Sequence, residues 1–194
     1  MTINSKTKRI AGIGIFAAIV VVLQLVATLV PLYPFAITLV LVPIVIGAAL
    51  YGIAAGGILG AIFGLVVLVM SISGQDIGGQ LLWVANPFAT AMVIMLRGIL
   101  AGMAAGIVYR IFAARNTLFG VVLAAIVCPV VNTGLFLLAM YFIFPYFLDM
   151  WAAGATTVYF LFIGLAGINF VIELTINIIL SPTIVRIINA TRRA

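Results

Sequence analysis

Two opposite charges lie deep in apolar sequence and pose the first chemical question. Arg97 stands thirteen residues before Arg110, and Glu173 stands thirteen before Arg186. A helical rise of 1.5 Å per residue puts each buried charge roughly 20 Å from its partner arginine. The two charges then share a depth. An unpaired charge at such a depth costs at least ~2.5–3 kcal/mol even on lenient insertion scales, so a partner or an aqueous cavity is required. Two readings compete: an ion pair that clamps two helices, or groups that point into a substrate cavity.

Other polar residues gather around this pair. Asn169, Glu173 and Asn177 recur every four residues and share one helix face. Such a stripe on a membrane helix must face protein or water. Asn132 lies about 25 Å from Arg115 by helical rise, and Gln24 lies roughly 22 Å from Arg9. Trp83 and Asn86 sit where the next helix begins. These groups converge at middle to outer depth, as a pocket open to the exterior requires. For Trp83 the competing reading is an interfacial aromatic anchor. For Asn132 and Asn169 it is interhelical hydrogen bonding, which averages only ~0.6 kcal/mol in one measured membrane protein.

Absences narrow the chemistry. Histidine is missing, which removes the commonest general base and metal ligand. Cys128 is alone, so no disulfide can form within the chain. There is no Gly-x-x-x-x-Gly-Lys-Ser/Thr loop, no His-Glu-x-x-His and no serine elbow. Three acidic residues leave proton relays and metal-assisted catalysis few actors. The chain therefore reads as no enzyme, with no catalytic residue, metal or cofactor. A substrate-binding membrane subunit that borrows energy from elsewhere fits the inventory. The alternative is a ligand-free structural or assembly subunit, and a membrane enzyme ranks third.

The elements that must position these groups follow from composition. Of 194 residues, 67% are hydrophobic and 6% charged, with a mean hydropathy of +1.47. Globular domains carry about 25% charged residues, so a soluble fold is excluded. Apolar stretches of roughly 20 residues recur, each able to cross about 30 Å of hydrocarbon. The expected architecture is an all-α integral membrane protein: one domain over residues 1–194, a six-helix transmembrane bundle. The spans are placed at about 10–30, 36–50, 53–71, 87–113, 118–143 and 157–189. The first is too long for a signal-peptide core and is read as a retained helix.

Pro31 and Pro34, Gly52, a polar loop at Ser71–Gln80, Arg115–Asn116, and Pro145 with Asp149 mark the breaks. An even number of crossings puts both termini on one side, together with Lys6, Lys8, Arg9, Arg110, Arg115, Arg186, Arg192 and Arg193. Asp76 and Asp149 fall opposite. By the positive-inside rule the basic face and both termini are cytoplasmic. The net charge of +6 is thus a topology signal with an anionic-lipid contribution and needs no nucleic acid.

Small residues mark packing surfaces. Gly56, Gly60 and Gly64 repeat every four residues, as do Gly98, Gly102 and Gly106, and packing within the bundle is the expected use. Ala11, Gly14, Ala17 and Ala18 give the first helix a smooth half on which another membrane subunit could dock. In CPVVNTGLF (128–136), Pro129 frees a carbonyl and can bend its helix. The bend is expected to open the outer half of the bundle and aim Asn132 into the pocket.

Several strings, in order along residues 10–190, carry a family resemblance. They are VPIVIGA (42–48), GILGAIFGL (57–65), ANP (85–87), RGILAG (97–102), CPVVNTGLF (128–136) and NFVIEL (169–174). In these the chain resembles the substrate-binding S components of energy-coupling factor (ECF) vitamin transporters. The resemblance implies a six-helix protein of the bacterial cell membrane that binds a vitamin or related micronutrient tightly from outside. Pantothenate, cobalamin, folate and riboflavin are the classes it suggests. It also implies partners that complete an ABC importer: an EcfT-like membrane coupling subunit and two ATPases. The S component would tip in the membrane as it docks. The family's docking face includes an Ala-x-x-x-Ala motif, for which this chain has Gly14-x-x-x-Ala18 beside Ala11. The pocket is expected to use Gln24, Trp83, Asn86, Arg97, Asn132, Asn169 and Glu173. Covers are expected from Pro31–Phe35 and from the 72–83 loop, where Gly74, Gly78 and Gly79 would supply backbone freedom.

Overall fold

A computed structural model describes residues 5–27, 39–152, 156, 160 and 167–193, and every regular element among them is helical. The helices are α1 (Ser5–Ala27), α2 (Leu41–Tyr51), α3 (Ile53–Ser73), α4 (Ile77–Ala85), α5 (Pro87–Phe112), α6 (Thr117–Phe142), α7 (Pro145–Ala152) and α8 (Ile168–Arg193). Among the described residues, α1, α3, α5, α6 and α8 are long and apolar enough to cross a membrane. Large apolar side chains such as Ile10, Val22, Leu65, Phe88, Leu138 and Phe142 face outward from the bundle. In lipid that is where apolar surface belongs.

The expected spans fall on α1, α2, α3, α5, α6 and α8. At 11 residues, α2 extends only about 16 Å, half the hydrocarbon thickness. Its sequence is apolar on every side, and the fold uses it accordingly: Leu41 and Pro43 through Ala49 are all buried. Pro43 sits in the first turn, where its missing N–H would have had no helical acceptor. The last expected span starts at 157, and much of 157–166 lies outside the described residues.

Two stretches read as polar turns are short helices instead. The Ser71–Gln80 loop shrinks to Gly74–Asp76. Gly74, at φ 80°, ends α3 in the left-handed conformation, and Asp76 then caps α4 by accepting from the Gly79 N–H at 3.3 Å. The Pro145–Asp149 turn is likewise the start of α7, with proline in its first turn.

The two glycine ridges meet each other. A Cβ on Gly56 would strike the Gly102 carbonyl, and one on Gly102 would strike that of Gly56. Gly60 and Gly98 make the same reciprocal contact, and Gly64 approaches the Ile94 carbonyl. The pairing order makes α3 and α5 antiparallel, with backbones close enough for Cα–H···O contacts. The expected packing role of the glycines is what the fold contains. Around this seam Ile44, Leu59, Phe63, Ala101, Ala124 and Ile184 form the main core. A second cluster, including Leu82, Leu137, Met140, Phe144 and Leu148, packs beneath α4 and α7.

Candidate ligand-binding site

The helix pairings sort the chain into two ends. Gly12 of α1 packs on Tyr51, at the end of α2 where α3 starts. Gln24, near the far end of α1, donates from Nε2 to Met70 Sδ near the far end of α3, at 3.8 Å. So α1 and α3 run parallel while α5 runs back. Lys8, Arg9 and Arg110 belong to the first end, and the α3–α4 turn with the start of α5 belongs to the second.

At the second end the chain builds a polar corner. The Ser71 hydroxyl is shared between the Val67 carbonyl at 2.9 Å and Asp76 Oδ2 at 3.3 Å. Gly79 lies against Ser71 so closely that a Cβ there would strike its Oγ, which lets α4 start directly on α3. Below this corner a cavity of about 20 Å³, the size of one water, is lined by Asp76, Thr90, Arg97, Phe136, Met140 and Phe144, among others. Thr90, Ile94 and Arg97 present one face of α5 to it, at i, i+4 and i+7. The Arg97 guanidinium sits over the Phe136 ring, 5.2 Å from its centroid. Asp76 lines the same cavity, and the Asp76 and Glu173 charges both act on the guanidinium through space.

The arginine therefore shares its cavity with a carboxylate from the α3–α4 turn and feels the charge of one from α8. That is more than a two-helix clamp. Five buried atoms around the bundle have no hydrogen-bond partner among the described residues: Gln24 Oε1, Thr90 Oγ1, Arg97 Nε, Asn132 Oδ1 and Asn177 Oδ1. Burying such an atom unpaired costs about 1–3 kcal/mol, so each calls for a water or a ligand.

The sequence-derived site residues divide accordingly. Gln24, Asn132 and Glu173 are buried, and Arg97 is half-buried with its Nε fully enclosed. Asn132 lies one turn before Phe136 on α6 and points inward, three residues after Pro129. Glu173 and Asn177 share the buried face of α8, with Asn177 Nδ2 donating to the Glu173 carbonyl at 2.8 Å. The stripe continues to the buried Ser181, whose Oγ donates to the Asn177 carbonyl at 2.9 Å. The side chain of Asn169 lies outside the described residues, as does the Pro31–Phe35 segment.

Asn86 is exposed and serves as the N-cap of α5, its Oδ1 accepting from the Ala89 N–H at 3.0 Å. Trp83 is half-buried on α4, beside Leu82, which lines the cavity. The 72–83 cover is mostly helix rather than loop. Sequence reasoning passed over Asp76, Thr90 and Phe136. An aspartate directly before an apolar residue at a helix start, as Asp76 stands before Ile77, is a capping signal, and Thr90 falls on the helix face that Arg97 defines.

At the opposite end an open groove of about 770 Å³ is lined by Tyr51, Gly52, Gly106, Tyr109 and Arg110, among others. It holds none of the sequence-derived site residues. On α1, Ala11, Gly14 and Ala18 are exposed, and a Cβ on Gly14 would meet nothing within 4 Å.

Comparison with known proteins adds two findings. Residues 8–185 match the model of the family described as ECF transporter, substrate-specific component. Among solved structures, ThiT from Listeria monocytogenes has a similar fold, with a TM-score of 0.63 at 18% sequence identity over 94% of this chain and 99% of that one. No curated protein matches the chain in sequence.

Proposed function

We propose, from the premise that this chain belongs to the ECF transporter substrate-specific component family, that it is the high-affinity binding subunit of an importer for a water-soluble vitamin or related micronutrient. As a member it is an integral, multi-pass membrane protein that binds substrate and is not itself catalytic. The finer reading has six crossings with both termini cytoplasmic, so that the polar corner opens to the exterior. ATP hydrolysis then comes from two partner ATPases through an EcfT-like coupling subunit.

The observation that carries the reading is the set of five buried polar atoms without partners. A chain this apolar has little reason to keep Gln24, Thr90, Arg97 and Asn132 at one end unless something completes their hydrogen bonds. Enclosure among apolar walls with a few placed polar groups is how small-molecule sites reach high affinity. A cavity of about 20 Å³ admits one water and no vitamin, so binding includes a rearrangement of Phe136, Met140 and Phe144 around the ligand. The bare stripe of Ala11, Gly14 and Ala18 supports docking of the coupling subunit, since a neighbouring helix can approach it closely.

The small cavity favours one other reading, an assembly subunit that binds nothing. Replacing Gly14 and Ala18 by leucine separates the two. With the coupling module present, the double variant should lose vitamin uptake at least tenfold while retaining vitamin binding and its melting temperature. Loss of binding together with uptake would argue against the docking role, and absence of binding in the parent would favour assembly.

A further inference from the structure

Thr90 departs from the way this chain treats its other buried hydroxyls. Ser71 and Ser181 each donate to the carbonyl one turn back, Val67 and Asn177 respectively, at 2.9 Å. That local bond is the ready partner of a hydroxyl in an apolar helix. Thr90 has the Asn86 carbonyl at the same place, where it receives the Thr90 N–H at 3.0 Å. The hydroxyl does not use it. Thr90 is 1% exposed, and its Oγ1 has no partner among the described residues.

A second unpaired atom belongs to the same cavity. Arg97 lines it from the same face of α5, and its Nε is also buried without a partner. Helix side chains lean toward the N-terminus, so Arg97 reaches back toward Thr90. Its guanidinium lies over Phe136, 5.2 Å from the ring centroid, which covers that aromatic face. Among the described residues that line the cavity, Asp76 and Arg97 carry charge, and they balance. What is missing is therefore a hydrogen-bond partner and not a countercharge. An Nε–H needs an acceptor, whereas a hydroxyl can donate or accept. At about 20 Å³ the space admits a single oxygen.

We infer that a neutral oxygen of the ligand, a hydroxyl or a carboxamide carbonyl, enters this cavity and hydrogen-bonds to Thr90 Oγ1 and Arg97 Nε together. A hydroxyl accepts from the Nε–H and donates to Thr90, and a carbonyl accepts from both. Asp76 then sets the charge specificity. With its carboxylate in the same lining, an anionic group would give up its water and meet no net opposite charge. The inference rests on the binding reading above and narrows it to two contacts and the class of group they take.

The test uses the full-length protein in detergent at pH 7 with an equimolar mixture of matched neutral and anionic compounds. The pairs are nicotinamide and nicotinate, panthenol and pantothenate, and biotinamide and biotin. Riboflavin and cyanocobalamin are added as neutral probes and folate as an anionic one. Compounds retained after gel filtration are quantified by mass spectrometry, with anything carried from the host. The compound retained most should be neutral. Thr90→Val, which keeps the shape and removes the oxygen, should lower its retention at least about fivefold. The ligand-free melting temperature should be equal or higher, because an unpaired buried oxygen is gone. Thr90→Ser should restore retention. Asp76→Asn, which keeps the cap, should raise the ratio of anionic to neutral compounds retained by about tenfold. An anion retained most by the parent, an unchanged ratio in Asp76→Asn, or undiminished retention by Thr90→Val overturns the inference and leaves the binding function standing. So does a Thr90→Ser variant as impaired as Thr90→Val. Retention of nothing, from mixture or host, overturns the binding function itself.

Discussion

At Gly98 an absent atom decides the packing. A Cβ there would strike the Gly60 carbonyl across the α3–α5 seam, whereas a Cβ at Gly14 would meet nothing. Gly98→Ala should therefore destabilise the protein by about 1–3 kcal/mol through overpacking. Gly14→Ala should be neutral, or gain up to about 1 kcal/mol from helix propensity. Thermal unfolding of both variants in detergent checks the contrast, and equal effects would contradict the seam. The sequence made both glycine ridges legible because close backbone approach has a signature, a small residue every fourth position. It made Arg97, Glu173, Asn132 and Gln24 legible because polar atoms are rare and expensive in hydrocarbon. Thr90 and Phe136 were not legible, since threonine and phenylalanine are ordinary in such helices and only the folded face gives them meaning.

Among the elements, α4 most changes the account of the site. The 72–83 stretch, with Gly74, Gly78 and Gly79, reads as a loop-like cover, but Asp76 and the close Gly79–Ser71 contact fix α4 on α3 as a helix. Asp76→Ala should cost about 0.5–2 kcal/mol by loss of the cap, whereas Asp76→Asn should cost only a few tenths, asparagine being as good a cap. Melting temperatures of the two variants check this, and an alanine variant as stable as the parent would remove the cap from the account. Helix starts of this kind are readable when a capping residue precedes an apolar run. Helix α2 shows the opposite limit. Hydropathy identified an apolar segment, but whether such a segment crosses lipid or fills a core depends on its neighbours, and here α1, α3, α5, α6 and α8 enclose it.

Over the whole molecule, the charge distribution and hydropathy determine more than any motif does. Apart from Arg97, basic residues gather at the chain termini and at the α5–α6 turn, and the acidic ones lie at the α3–α4 turn, in α7 and within α8. One end thus has exposed small residues on α1 and an open groove. The other has a polar corner with unsatisfied atoms. A molecule divided in this way suits a subunit that binds at one end and is driven from the other. The pocket's shape was beyond the sequence, because composition gives the groups that need partners but not the space between them. Mass spectrometry of small molecules released from the purified, unsupplemented protein tests the central claim most directly. One water-soluble micronutrient, released at about one molecule per chain, is the result expected of a high-affinity binding subunit. A protein that releases no such compound and takes none up when micronutrients are supplied would contradict it.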